Sequence, residues 1–173
     1  MQAFPSIESL QLLKSGEPDI SVIADLAYTI WNEYYPSIIT QDQVNYMLNK
    51  MYSAEALKTQ MQEGQEFYLI HAGSIPVGFL SVSSLNKTDW MLHKFYVHSQ
   101  QRKKGIGSII FNLLIETLNH PETVRLTVNR HNYQSINFYF KNGFTIERVA
   151  DFDIGDGYFM NDFVMLWHKK TIH

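Results

Sequence analysis

The segment Arg102-Lys103-Lys104-Gly105-Ile106-Gly107 is where residue types and spacing most clearly offer chemistry in this 173-residue chain. Gly105 and Gly107 carry no Cβ, so a ligand's phosphates can come close to the backbone there. From Ile106 onward, Ile106, Ile109, Ile110, Leu113, Leu114 and Leu118 recur at helical spacing. The first amides of a helix lack intrahelical partners, and with the helix dipole they form an anion site. Arg102, Lys103 and Lys104 add positive charge, and an arginine can grip phosphate as a fork. On its own the loop reads equally well as a glycine cap beside a solvated charge run. A dinucleotide fingerprint would need a third glycine where Ile110 stands, and the nucleoside-triphosphate pattern G-x-x-x-x-G-K-[ST] is missing.

A second constellation lies downstream, from Val128 to Phe144. Asn132, Ser135 and Tyr139 are three and four residues apart, so a helix would set them along one edge. Taken singly, each fits a capped amphipathic helix with Phe138 in the core.

These residues need elements to position them. Ser9 to Lys14 reads as a strand stopped by Ser15-Gly16-Glu17-Pro18, and Ile20, Ile23, Ala24, Ala27, Ile30, Trp31 and Tyr34 form the buried face of a helix ended by Pro36. Thr40-Gln41-Asp42-Gln43 reads as a reciprocal capping box opening a second helix. A third helix spans Ala54 to Glu63, with Gly64 as its stop. The period then changes. Glu66 to His71, Ile75 to Leu85 and Trp90 to Val97 form an antiparallel meander. The glycine loop, its helix and a strand at Val124 to Val128 follow. A helix from Tyr133 to Asn142 is capped by Asn132 and closed by Gly143. Two last strands, Phe144 to Val149 and Phe159 to Trp167, flank a Gly/Asp-rich turn. No repeat, linker or low-complexity tract interrupts residues 1–173, which read as one domain.

Composition narrows the function. Apolar residues make up 45% and charged residues 18%, an ordinary globular balance, and the net charge of −3 supplies no broad positive field for nucleic acid. The chain has no cysteine, which excludes a disulfide scaffold, a thiolate zinc site and an acyl-cysteine intermediate. The seven histidines lack H-x-x-x-H and H-E-x-x-H spacing, so no metal is expected. Asp151 to Gly157 has the wrong residue order for a calcium loop, and no G-x-S-x-G elbow supports a serine hydrolase. The amino-terminal residues show no basic region followed by an apolar run, and no apolar stretch approaches the ~20 residues of a membrane span. A cytoplasmic protein without membrane contact is the expectation.

Together the two constellations resemble the GNAT superfamily of CoA-dependent N-acyltransferases. Arg102, Gly105 and Gly107 match its [Q/R]-x-x-G-x-[G/A] motif. Asn132, Ser135, Phe138, Tyr139, Gly143 and Phe144 match its N-x-x-[A/S]-x-x-F-Y-x-x-x-G-F run, at the family's separation. Phe95-Tyr96-Val97 stands where the family's fourth strand carries apolar residues. The resemblance implies a mixed α/β fold of about six to seven strands, splayed between the strand ending at Val97 and the one at Val124, with helices on both faces. It implies acetyl-CoA as cosubstrate. Its pantetheine arm would lie along the backbone of Phe95, Tyr96 and Val97, and its diphosphate on the amides from Arg102 through Gly107 and Ser108. Asn132 and Ser135 would help place the far end.

The resemblance makes Tyr139 the candidate general acid, since a phenol with a pKa near ~10 keeps its proton at neutral pH. The family's basic glutamate is replaced by Met91, so His93 is the candidate base, with Glu33 as another. Phe152, Gly155-Asp156, Asp162 and Met165 resemble the tail of bacterial spermine/spermidine-type acetyltransferases, which implies a polyamine-like primary amine. A peptide amine acceptor and a non-catalytic acyl-CoA-binding module are the competing readings. The final strand could pair two copies as a homodimer.

Overall fold

A computed structural model gives the structure of the chain and describes residues 10–170, the side chains of Lys103 and Lys104 excepted. Ser9 therefore lies outside the described residues, and the first strand, β1, runs Leu10–Ser15. Helices α1 (Ile20–Tyr34), α2 (Gln41–Tyr52) and α3 (Ala54–Gln62) follow. The meander is β2 (Glu66–Ala72), β3 (Ile75–Ser84) and β4 (Asp89–Val97). A 3-10 turn at Ser99–Lys104 leads into α4 (Ile106–Thr117), then β5 (Thr123–Asn129) and α5 (Tyr133–Lys141). Strands β6 (Phe144–Gly155) and β7 (Tyr158–His168) complete the chain.

The seven strands form one mixed sheet in the order β1-β2-β3-β4-β5-β7-β6. Helices α4 and α5 cover one face, where Ile110, Leu114 and Ile136 meet Leu80, Leu92, Leu126 and Met165. Helices α1 to α3 cover the other, where Ile23, Trp31, Val44 and Leu57 meet Phe67, Leu69 and Phe79. Among the described residues no helix is long and apolar enough to cross a membrane.

The sheet opens in its middle. Strands β4 and β5 are parallel and pair only from Asp89↔Thr123 to Leu92↔Leu126. Beyond that rung β4 runs on to Val97 against β3, while β5 stays paired with β7 as far as Asn129↔Asp162. Each strand keeps its outer partner and loses its inner one, which leaves a cleft of about 530 Å³ between them.

Three sequence expectations need correction. The Thr40 hydroxyl does accept the Gln43 amide at 3.2 Å, but the Gln43 side chain donates to the carbonyl of Phe159 at 2.8 Å instead of closing the capping box. The Gly/Asp-rich turn is much shorter than expected. Strand β6 pairs through Gly155↔Tyr158, leaving only Asp156-Gly157 as the turn, both with positive φ (51° and 79°). That conformation matches the right-handed twist of a hairpin. The final strand is not an edge: β7 lies between β5 and β6, so the free edge on that side belongs to β6. Strand β4 is also not regular throughout. The register of β4 on β3 shifts between Ser81↔Lys94 and Val82↔Leu92, which makes His93 the extra residue of a bulge.

Candidate active site

The β4 wall of the cleft presents backbone. His98 N–H donates to the carbonyl of Val77 at 2.8 Å. Hydrogen-bonded and open rungs alternate in an antiparallel pair. Tyr96 is therefore bonded back to Phe79, and the polar groups of Phe95 and Val97 turn toward the split. The Val97 carbonyl is already taken, accepting Arg102 Nε–H at 2.8 Å. A short length of unpaired strand edge remains, a template for an extended ligand.

The loop after β4 sets the start of α4 at the cleft mouth. Gly105 is left-handed (φ 71°) with open space where a Cβ would stand. Its amide and those that follow are the unpaired donors of the helix, and Gly105, Gly107 and Ser108 line the cleft. Gly107 has a second reason to be glycine: a Cβ there would fall 2.7 Å from the ring of Phe138 on α5. Close packing of α4 on α5, as well as ligand approach, demands that residue.

Arg102 does less than a free phosphate fork and more than a solvated charge. Its guanidinium lies over the Tyr34 ring at 4.5 Å while Nε holds Val97. The Tyr34 hydroxyl donates to Asn132 Oδ1 at 2.7 Å, and the same oxygen caps α5 by accepting Ser135 N–H at 3.2 Å. Strand β4, the loop, α1 and α5 are thus joined around the cleft. Asn132 is 2% exposed. Asn132→Ala removes the cap and orphans the Tyr34 hydroxyl, so it should cost about 1–3 kcal/mol. Urea unfolding of the two proteins checks this.

The face toward α1 to α3 holds the ionisable groups. Tyr52 donates to Tyr96 at 3.2 Å, and Trp31 stacks on Tyr35 beside them. Lys94 is 8% exposed, with its ammonium over the rings of Tyr52 (5.3 Å) and Phe67 (5.6 Å). Burial pulls its pKa down to about 8. The bulge at His93 is what carries Lys94 to this face, opposite Leu92. His93 itself is open at the cleft, with Nε2 2.7 Å from Ser83 Oγ. The surrounding protein first, and the Lys94 charge second, push its pKa down to about 4. Across the split Asp162 of β7 lines the cleft and is buried, which raises its pKa to about 6.

Tyr139 of α5 enters from the other face, packed against Phe138 and Phe144. Burial pushes its phenol well above the usual tyrosine range. Phe95, Tyr96, Val97, Arg102, Gly105, Gly107, Ser108, Asn132, Ser135, Tyr139 and His93 all line one cleft, while the buried side chain of Ile106 points into the core. The side chains of Lys103 and Lys104 lie outside the described residues. Glu33 is absent from the lining: its carboxylate accepts Ser99 Oγ–H at 2.9 Å beside His98. Sequence reasoning misses Tyr34, Lys94 and Thr127 as cleft residues and gives Asp162 only a place in the tail that resembles the spermine/spermidine-type enzymes.

Family comparison fits this arrangement. The chain matches the model of the acetyltransferase (GNAT) domain over residues 37–151. A curated relative, the spermidine N(1)-acetyltransferase of Thermoplasma acidophilum, is 26% identical over 148 residues, spanning 80% of this chain and 90% of its own. Among solved structures, the PaiA N-acetyltransferase from Thermoplasma acidophilum, in complex with coenzyme A, has a TM-score of 0.76 at 23% identity, covering 93% of this chain and 99% of that one. A spermidine N-acetyltransferase SpeG chimera from Vibrio cholerae and hSSAT has a TM-score of 0.69 at 13% identity, covering 92% of this chain and 95% of its own. The structural likenesses establish the shared fold. The family match takes in the split, the glycine loop and most of the α5 to β6 segment, and the chain therefore belongs to the GNAT acetyltransferase family.

Proposed function

We propose that this chain transfers an acetyl group directly from acetyl-CoA to a primary amine, with both substrates bound at once. The observation that carries the reading is the split between β4 and β5 beside the open start of α4. The residues present fit the cosubstrate. The free backbone of Phe95 and the amide of Val97 would hold an extended pantetheine arm, and the amides from Gly105 to Ser108 would hold a diphosphate. Asn132 is occupied as a cap, so its part is to fix α5, and Ser135, Gln134 and Lys141 would face the rest of the cofactor. When bound, acetyl-CoA supplies the thioester carbon that the amine attacks.

Tyr139 then serves as the acid for the departing sulfur. Burial keeps its proton in place at every pH the enzyme would meet, and it lines the cleft from the α5 side. His93, the base that the sequence favoured, is a poor base in this setting. A ring whose pKa has fallen to about 4 is neutral, weakly basic and engaged with Ser83. His93→Gln should therefore keep the acidic limb of the kcat/KM–pH profile, and a profile that loses that limb would restore the histidine.

The acceptor chamber lies under α1 and α2, walled by Trp31, Tyr35, Met47 and Tyr52. It is tied shut on the far side by Gln43 and Tyr46, which bond to Phe159 and Ile154 of the β6–β7 hairpin. A polyamine-like acceptor is the finer reading, supported by the relative that carries the spermidine acetyltransferase name. Thiol release from acetyl-CoA with butylamine, spermidine and a lysine-containing peptide tests both levels. Turnover of any amine supports the transfer, and preference for spermidine supports the finer reading. No thiol release with the panel would count against the activity, and peptide preference would count against the polyamine.

A further inference from the structure

Asp162 is the one carboxylate among the described residues lining the cleft. It is 5% exposed, and it takes part in none of the ion pairs among the described residues. Arg130, a nearby cation, is committed to Asp151 at 2.6 Å. A carboxylate removed from water without a counter-ion is costly, and a protein that keeps one in a ligand cleft leaves a place for a cation from outside.

The sheet fixes where that cation would sit. Asp162 pairs with Asn129, at the end of β5 where β4 has already diverged. Along β7, Met165 belongs to the core under α4 and α5, while Met160 packs on the α1–α3 side. Asp162 shares the parity of Met160, so its carboxyl faces the acceptor chamber. Thr127 of β5 lines the cleft on the same face and favours the charged form of Asp162.

We infer that Asp162 receives the acceptor's ammonium and acts as the general base of the transfer. This rests on the amine-transfer reading given above. The ammonium yields one proton to Asp162, which passes it to water. The nitrogen then bonds to the acyl carbon as the carbon–sulfur bond breaks. Asp162 takes the second proton that the nitrogen must shed, and Tyr139 gives its own to the sulfur. Solvent exchange restores both side chains, and each turnover releases one proton in all. The charged and titratable groups acting on Asp162 are Arg130 beyond β5 and Asp151 on β6; the rest of the cleft is lined by His93, Lys94 and Tyr96 of β4, Tyr34 and Tyr35 at the end of α1, Tyr52 of α2, Arg102 before α4, and Tyr139 and Lys141 of α5. Burial outweighs the lowering by Thr127 and Arg130, so the group titrates near pH 6 and is ionised at neutral pH.

The test compares wild type with Asp162→Asn in the full chain, by thiol release from pH 5 to 9. The amine is the one of butylamine, spermidine and the lysine peptide that wild type uses fastest. The expected result is a kcat/KM lower by about 10²–10⁴-fold, loss of the acidic limb near pH 6, and unchanged affinity for CoA. A variant that keeps the wild-type rate and limb overturns the inference while leaving amine transfer standing. A wild type inactive with all three amines overturns both. If Asp162→Asn does not fold, Thr127→Val serves instead. Removing the Thr127 hydroxyl, which lowers the pKa of Asp162, should move the acidic limb upward in pH, and an unmoved limb overturns the inference.

Discussion

Tyr139→Phe should lower kcat by about 10²–10⁴-fold, the span that a positioned general acid supplies, while the Kd for CoA stays near its wild-type value. The substitution deletes one hydroxyl and keeps the ring that packs against Phe138 and Phe144. The thermal midpoint should therefore hardly move, which separates chemistry from structure. The pH dependence follows from the direction of the shift. Burial raises the phenol's pKa above its ordinary value, so the acid form persists on the basic side. Wild-type kcat should show no fall from loss of this proton up to about pH 10, the ordinary value for tyrosine. Stopped-flow thiol release against pH measures both effects. A variant as fast as wild type would remove Tyr139 from the chemistry.

Phe79→Ala should cause the largest loss of stability, about 3–5 kcal/mol. Phe79 has no exposed surface and sits on β3 between the α1–α3 core and the cleft wall. Its ring meets those of Tyr96 (5.4 Å) and Tyr52 (6.2 Å), so truncation opens a cavity beneath both. Native stabilities are only about 5–15 kcal/mol, which makes this a large fraction of the total. The thermal midpoint should fall on the order of 10 °C. Tyr96 and Tyr52 also line the cleft, so on the proposed function KM for the amine should rise in the same variant. A midpoint within a degree or two of wild type would show that the cluster does not carry the load assigned to it.

The elements were legible because local rules govern them. Gly64, Gly105 and Gly143 have positive φ, where punctuation by glycine was expected. The Thr40 and Asn132 caps follow from side chains only three residues from the amides they accept. What stayed hidden depends on partners distant in sequence. Gln43 prefers a carbonyl of β7 to its own helix, and no local pattern announces Phe159. The order β5-β7-β6 is equally silent, since β6 and β7 alternate in the same way whichever of them lies inside.

The site shows the same division. The glycine loop and α5 could be read as motifs, because the family resemblance rests on adjacent residues. Lys94 could not. In an unbroken strand it would share the face of Leu92, and one bulged residue at His93 turns it to the other side. Residue type alone explains Gly107 by ligand approach, whereas Phe138 makes an independent demand on it. Residue type alone makes Arg102 a free fork, whereas Tyr34 and Val97 hold it in place.

Backbone amide shifts in a titration with CoA test the central claim most directly, namely that the gap between β4 and β5 takes the pantetheine while the start of α4 takes the diphosphate. Saturable shifts should be largest at Phe95, Val97 and Gly105 through Ser108. No shifts at millimolar CoA, or shifts confined to residues outside the cleft, would contradict the account.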